Sequence, residues 1–179
     1  MSSPQTVVAL LRGINLGSHN RVAMADLREL VEEVGGEDVR TYLQSGNVVF
    51  RSPEKPAELE ATLAQGIKRA LGIDVSVVVR TKRQLQKMVA DNPFAKADAK
   101  TLHVALLAAK PKAPAARKLL EGSFEPDRVE LAGREVYLHC PNRYGRTKLS
   151  NSFIEKQLGV RATTRNWKTI TSLAELAQD

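Results

Sequence analysis

The feature that most constrains this chain is the order in which two hydrophobic periodicities alternate along it. Thr6-Val-Val-Ala-Leu-Leu-Arg12 is a short apolar run ended by Gly13, the pattern of a buried strand. Met24, Leu27, Leu30, Val31 and Val34 then fall on one helical face, and Gly35-Gly36 stops that helix. Val39 to Gln44 and Val48 to Phe50 read as strands joined through the turn Ser45-Gly46-Asn47. Leu59, Leu63, Ile67 and Leu71 repeat every four residues and Gly72 closes the helix they define. Val75 to Val79 is a β-branched strand, with Arg80 expected as a surface charge at its end. The resulting β-α-β-β-α-β order is the ferredoxin-like unit, two helices on one face of a four-stranded antiparallel sheet.

After a connecting helix carrying Leu85, Met88 and Val89, and a break at Asn92-Pro93, the same order returns. Leu102 to Ala109 predicts a strand, Ala113 to Leu120 a helix, and Arg128 to Leu131 and Glu135 to His139 a hairpin across Ala132-Gly133. Leu149, Phe153 and Leu158 mark a helix, Ala162 to Arg165 a last strand, and Ile170, Leu173 and Leu176 a terminal helix. Only the element order repeats; no matching residues stand out between the halves. The expected fold is therefore α+β, two ferredoxin-like halves packed together. Residues 1–81 form the first half, 82–100 a connecting helix and linker, and 101–179 the second half with its C-terminal helix.

A chain of 179 residues can bury a sizeable core, and its 42% hydrophobic and 26% charged content is that of a globular protein. Apolar runs such as Val7 to Leu11 are too short to cross a bilayer, and the first residues lack signal-peptide features. The single cysteine, Cys140, excludes an intramolecular disulfide and a Cys-rich metal site. A cytoplasmic location is the expectation that follows. His19, His103 and His139 have no metal-ligand spacing, so neither metal nor cofactor is expected. Cys140, beside Pro141, reads as an inert buried thiol. Nucleophile-elbow, Walker and dinucleotide-binding patterns are missing from the sequence.

Charge is distributed unevenly. Between Arg143 and Lys168 lie seven cations (Arg143, Arg146, Lys148, Lys156, Arg161, Arg165, Lys168) and one acid, Glu155, nearly the whole +7 excess of the chain. Arg143, Arg146, Lys148, Arg165, Asn166 and Lys168 surround Tyr144 and Trp167, a mixture of cations and aromatic faces that suits a sugar-phosphate backbone with stacked bases. The plainer alternative makes Trp167 a core residue, the cations a solvated face, and Thr147 or Ser150 and Thr169 helix caps. A second polar region follows the first strand. There Gly13 and Gly17, with Arg12, Asn15, His19 and Asn20, can turn backbone N–H groups toward an anion at a helix entrance. Equally, these glycines serve tight turns and the asparagines cap. Asn47, in the hairpin turn, is a further candidate for this site.

Several of these stretches together resemble a bacterial family known as domain of unknown function 1697. The resemblance is carried by Ala9-Leu-Leu-Arg-Gly-Ile-Asn-Leu-Gly17, Asn20 to Leu27, Thr41-Tyr-Leu-Gln-Ser-Gly-Asn-Val-Val-Phe50, Asn92-Pro-Phe94, Glu155-Lys156 and Ala162-Thr-Thr-Arg-Asn-Trp167. Arg21, Thr147 and Lys168 depart from it, standing where Lys, Ser and Asn are expected. The resemblance implies a tandem ferredoxin-like architecture and marks the Gly13–Asn20 loop, the Ser45–Asn47 turn and the Thr163–Trp167 segment as hallmarks. It implies no catalytic residues.

The leading functional expectation is binding of a phosphate-bearing ligand, above all nucleic acid, by residues 143–168. An alternative is a phosphate or acyl-phosphate hydrolase using Arg12 to Asn20, by analogy with acylphosphatases, which share the fold. A protein-interaction module is a third, with the choice between monomer and homodimer left open. No membrane partner is expected.

Overall fold

The computed structural model describes residues 2–178. They divide into two compact units. The first runs as far as Lys87 and also takes in residues from Ser172 onward; the second is Met88–Thr171.

In the first unit, β1 (Gln5–Leu11), α1 (Met24–Glu33), β2 (Glu37–Tyr42), β3 (Asn47–Ser52), α2 (Pro56–Leu71) and β4 (Val77–Thr81) follow in the expected order. The sheet runs β2-β3-β1-β4 with every pairing antiparallel. Because side chains alternate along a strand, Val7, Ala9 and Leu11 share a face with Val48, Phe50, Val77 and Val79. Leu27, Leu30 and Val31 of α1 and Leu59, Leu63 and Ile67 of α2 pack on that face as one core. The other phase, Val8, Leu10, Val49 and Val78, is equally buried, which explains why these strands read as unbroken apolar runs. The next helix is α3 (Lys82–Ala90).

The second unit repeats the plan with β5 (Leu102–Leu107), α4 (Ala113–Leu120), β6 (Arg128–Ala132), β7 (Glu135–His139), α5 (Asn151–Leu158) and β8 (Ala162–Asn166), in sheet order β6-β7-β5-β8. Its core joins Ala105, Leu107, Val136 and Leu138 of the sheet, with Cys140 just beyond β7, to Leu119, Ile154 and Leu158 of the helices. The final helix is α6 (Trp167–Leu176). Both halves are thus ferredoxin-like.

Four expectations change. β4 begins at Val77, and Val75 joins the core ahead of the ladder. The hairpin turn occupies residues 43–46, so Asn47 opens β3 and is fully buried. The terminal helix is shared: Leu173, Ala174 and Ala177 are buried and fall in the first unit, where Arg40 Nη2 donates to the Leu176 carbonyl at 2.7 Å.

Arg80 is the fourth. It is no surface charge but completely buried, lying opposite Val8 of the central strand. Arg165 is buried in the same place in the second sheet, opposite Val104. Each arginine precedes a helix cap. Thr81 Oγ1 accepts from Gln84 N at 3.2 Å while Gln84 Oε1 accepts from Thr81 N at 2.8 Å, a capping box that starts α3. Asn166 Oδ1 accepts from Thr169 N at 2.8 Å and starts α6. The halves therefore repeat a buried arginine, a cap and a helix, although Arg80-Thr81 and Arg165-Asn166 do not announce this as sequence.

Candidate functional site

The two polar regions lie in different units. In the first, the loop from Gly13 to Asn20 is held by backbone and amide hydrogen bonds. Gly13, Asn15, Gly17 and Asn20 all take left-handed conformations, with φ between 50° and 66°. Asn15 organises the loop: its Nδ2 donates to the carbonyls of Val22 at 2.9 Å and Gln44 at 2.7 Å, and its Oδ1 accepts from Val22 N at 2.8 Å. The amides of Arg12, Asn15 and His19 donate to the carbonyls of Ser76, Asn20 and Leu16. Asn20 Nδ2 reaches the Gly13 carbonyl at 3.4 Å. Buried Asn47 donates through Nδ2 to the Tyr42 carbonyl and to Ser45 Oγ. A side chain at Gly46, φ 85°, would strike Ile14 Cδ1 at 2.6 Å, which fixes glycine where turn and loop meet. The groups expected to cradle an anion here, Asn15 and Asn47 above all, are engaged in holding backbone.

The basic segment of the second unit is sorted by burial. Arg143, Arg146, Lys148, Asn166 and Lys168 are exposed, whereas Tyr144 and Trp167 are half-buried. Arg165 turns inward, donating to Thr163 Oγ1 at 2.6 Å and the Thr164 carbonyl at 3.0 Å, and burial pushes its guanidinium down to about 10. It is not available to a surface ligand. Asn166, not Thr169, caps α6, and Ser150 Oγ caps α5 by accepting from Phe153 N at 3.2 Å. Thr147 holds the preceding turn instead, accepting from Leu149 N and donating to Asp127 Oδ2. Cys140 is buried, and desolvation pushes its thiol above the ordinary range.

Two open cavities divide the exposed cations. One, about 570 Å³, is lined by Arg143, Arg146 and Lys148 together with Glu125 and Asp127. The other, about 560 Å³, is walled by Trp167, His103, Asn166, Thr171, Lys100 and Lys168, and its lining is mostly apolar. Among the described residues no carboxylate pairs with Arg143, Arg146, Lys148, Lys100 or Lys168. Tyr144 stands between the two surfaces: its neighbours in sequence line the first cavity, and its ring stacks on His103 of the second with centroids 4.3 Å apart. Tyr144 also packs on the core, so its ring is a support and not an open platform. His103 Nδ1 is buried without a hydrogen-bond partner, and burial holds the imidazole below its ordinary value of 6.5.

Lys100 and His103 are not legible as site residues because they lie in a segment far in sequence from Trp167, and Thr171 sits one helical turn beyond Trp167 on α6. One signal was present: His103 occupies the inward phase of β5 that it shares with Ala105 and Leu107, an odd place for an imidazole.

Fold and site define an α+β protein of two ferredoxin-like halves whose second half carries an aromatic cavity rimmed by cations. The profile of the family described as "Protein of unknown function (DUF1697)" matches residues 5–137, more than half of the chain, and the chain belongs to that family. Among solved structures it is similar to the conserved bacterial protein SP0830 from Streptococcus pneumoniae, with a TM-score of 0.80 and 19% identity over 98% of this chain and 99% of that one. At that identity the likeness speaks for the fold alone. No curated protein matches.

Proposed function

We propose that this protein binds a phosphate-bearing ligand, specifically nucleic acid, on the second unit. The observation that carries this reading is the set of exposed cations that have no carboxylate partner among the described residues, Arg143, Arg146, Lys148, Lys100 and Lys168, gathered around two open cavities, one of which is walled by Trp167. A cation already paired with a carboxylate gains little from a phosphate; an unpaired one releases phosphate counterions on contact. Residues 143–168 supply most of this charge, and Lys100 adds to it from outside that segment.

Titrating labelled single-stranded RNA, single-stranded DNA and duplex DNA by fluorescence anisotropy at two salt concentrations tests the reading. Micromolar binding that weakens steeply with salt is expected. Replacing Arg143, Arg146 and Lys148 with Gln should weaken it for all sequences alike and flatten the salt slope. Unchanged affinity and slope in that variant would remove the reading.

A further inference from the structure

We infer that the cavity walled by Trp167 and His103 receives a single unpaired nucleobase, with Lys100 and Lys168 meeting its phosphate. This rests on the nucleic-acid reading but commits it to one base-sized site and to unpaired strands. A cavity of about 560 Å³ has room for a planar heterocycle, and a base can stack on its wall only once it is out of a duplex. The indole of Trp167 is half-buried at the start of α6, so its rotamer is restrained while its ring remains part of an open wall. Stacking on such a face is tolerant of base identity.

His103 supplies the second, independent observation. A buried imidazole nitrogen without a partner is costly, because desolvation is not repaid by a hydrogen bond. The ring is kept neutral by burial, and a neutral imidazole offers one donor and one acceptor. Nδ1 is buried in the observed rotamer, and a half-turn about χ2, which exchanges Nδ1 with Cδ2 while keeping the ring plane on Tyr144, would carry it to the opposite ring edge without loss of the stack. Asn166 adds a further polar residue to the lining: its Oδ1 is held by Thr169 N, which leaves the Nδ2 amide as its remaining donor. The chemistry recognised is therefore a nucleobase carrying its own phosphate, whether in a strand or as a free mononucleotide.

Trp167 is the only tryptophan in the chain, so the site reports on itself. A single-stranded oligonucleotide should quench its emission, and an abasic oligonucleotide of equal length should bind about tenfold more weakly and leave the emission unchanged. Equal binding by the abasic strand would overturn the base site while leaving the nucleic-acid reading intact. Mononucleotides are titrated in parallel. Quenching by them without strand binding keeps the pocket and removes the strand reading, and no quenching by either removes the pocket. His103→Phe preserves the stack and deletes both nitrogens. It should reduce the spread of affinities among the four homopolymers while retaining the fold by circular dichroism. An unchanged spread would exclude His103 from base contact. Trp167→Phe keeps a ring in the wall, so strand affinity followed by anisotropy should be largely retained, and loss of binding as complete as that of the abasic strand would exclude simple stacking on this ring.

Discussion

At the scale of single residues, the polar side chains divide into those that hold backbone and those left open. Asn15 belongs to the first group, and its three hydrogen bonds and left-handed φ of 55° suit asparagine better than any other side chain. Asn15→Ala should lower the stability of the first unit by about 2–3 kcal/mol, read from the denaturant midpoint, since two carbonyls and one amide lose their partner. His103 belongs to the second group and makes the stability pH-dependent. Its folded value lies below 6.5, so on acidification the unfolded chain takes up a proton that the folded chain does not. Stability contributed by the neutral ring is present above the unfolded value of about 6.5 and is lost as pH falls from there through the lower folded value. In His103→Phe that part of the acid destabilisation should vanish, a difference measurable by thermal melts from pH 8 to pH 5.

At the scale of elements, caps and strand ends decide where helices start and what the sheets conceal. Asn166→Ala should cost about 1 kcal/mol through loss of the α6 cap, seen in urea titration of Trp167 emission. Element order was legible because periods of two and of three to four residues are written in the apolar residues themselves, as in Val7 to Leu11 or Leu59 to Ile67. Arg80 was not legible. An arginine after three valines reads as the chain leaving its core, and only the pairing with Val8 shows that it stays inside. Of the candidate site, the Trp167 segment could be read because its cations and aromatics are contiguous. The part of the wall formed by Lys100 and His103 could not, since only the pairing of β5 with β8, His103 opposite Asn166, brings it to Trp167 across roughly sixty residues. Likewise the Gly13–Asn20 loop reads as an anion cradle from composition alone, because composition does not record that Asn15 is already engaged.

At the scale of the whole molecule, the chain passes from its first unit into its second within α3 and returns within α6. Stopping the chain after Thr171 should therefore damage the first half more than the second. It removes buried Leu173, Ala174 and Ala177 and the carbonyl that holds Arg40. Hydrogen exchange should show lost protection in β2 and its neighbours, while α4 and α5 exchange as before. The return has a further consequence during synthesis. After Lys87 emerges, the ribosome must deliver the whole second unit before Ser172 appears, which takes on the order of ten seconds at bacterial or eukaryotic elongation rates. Through that interval the first ferredoxin-like half stands without its last buried residues, so the half made first is the half completed last.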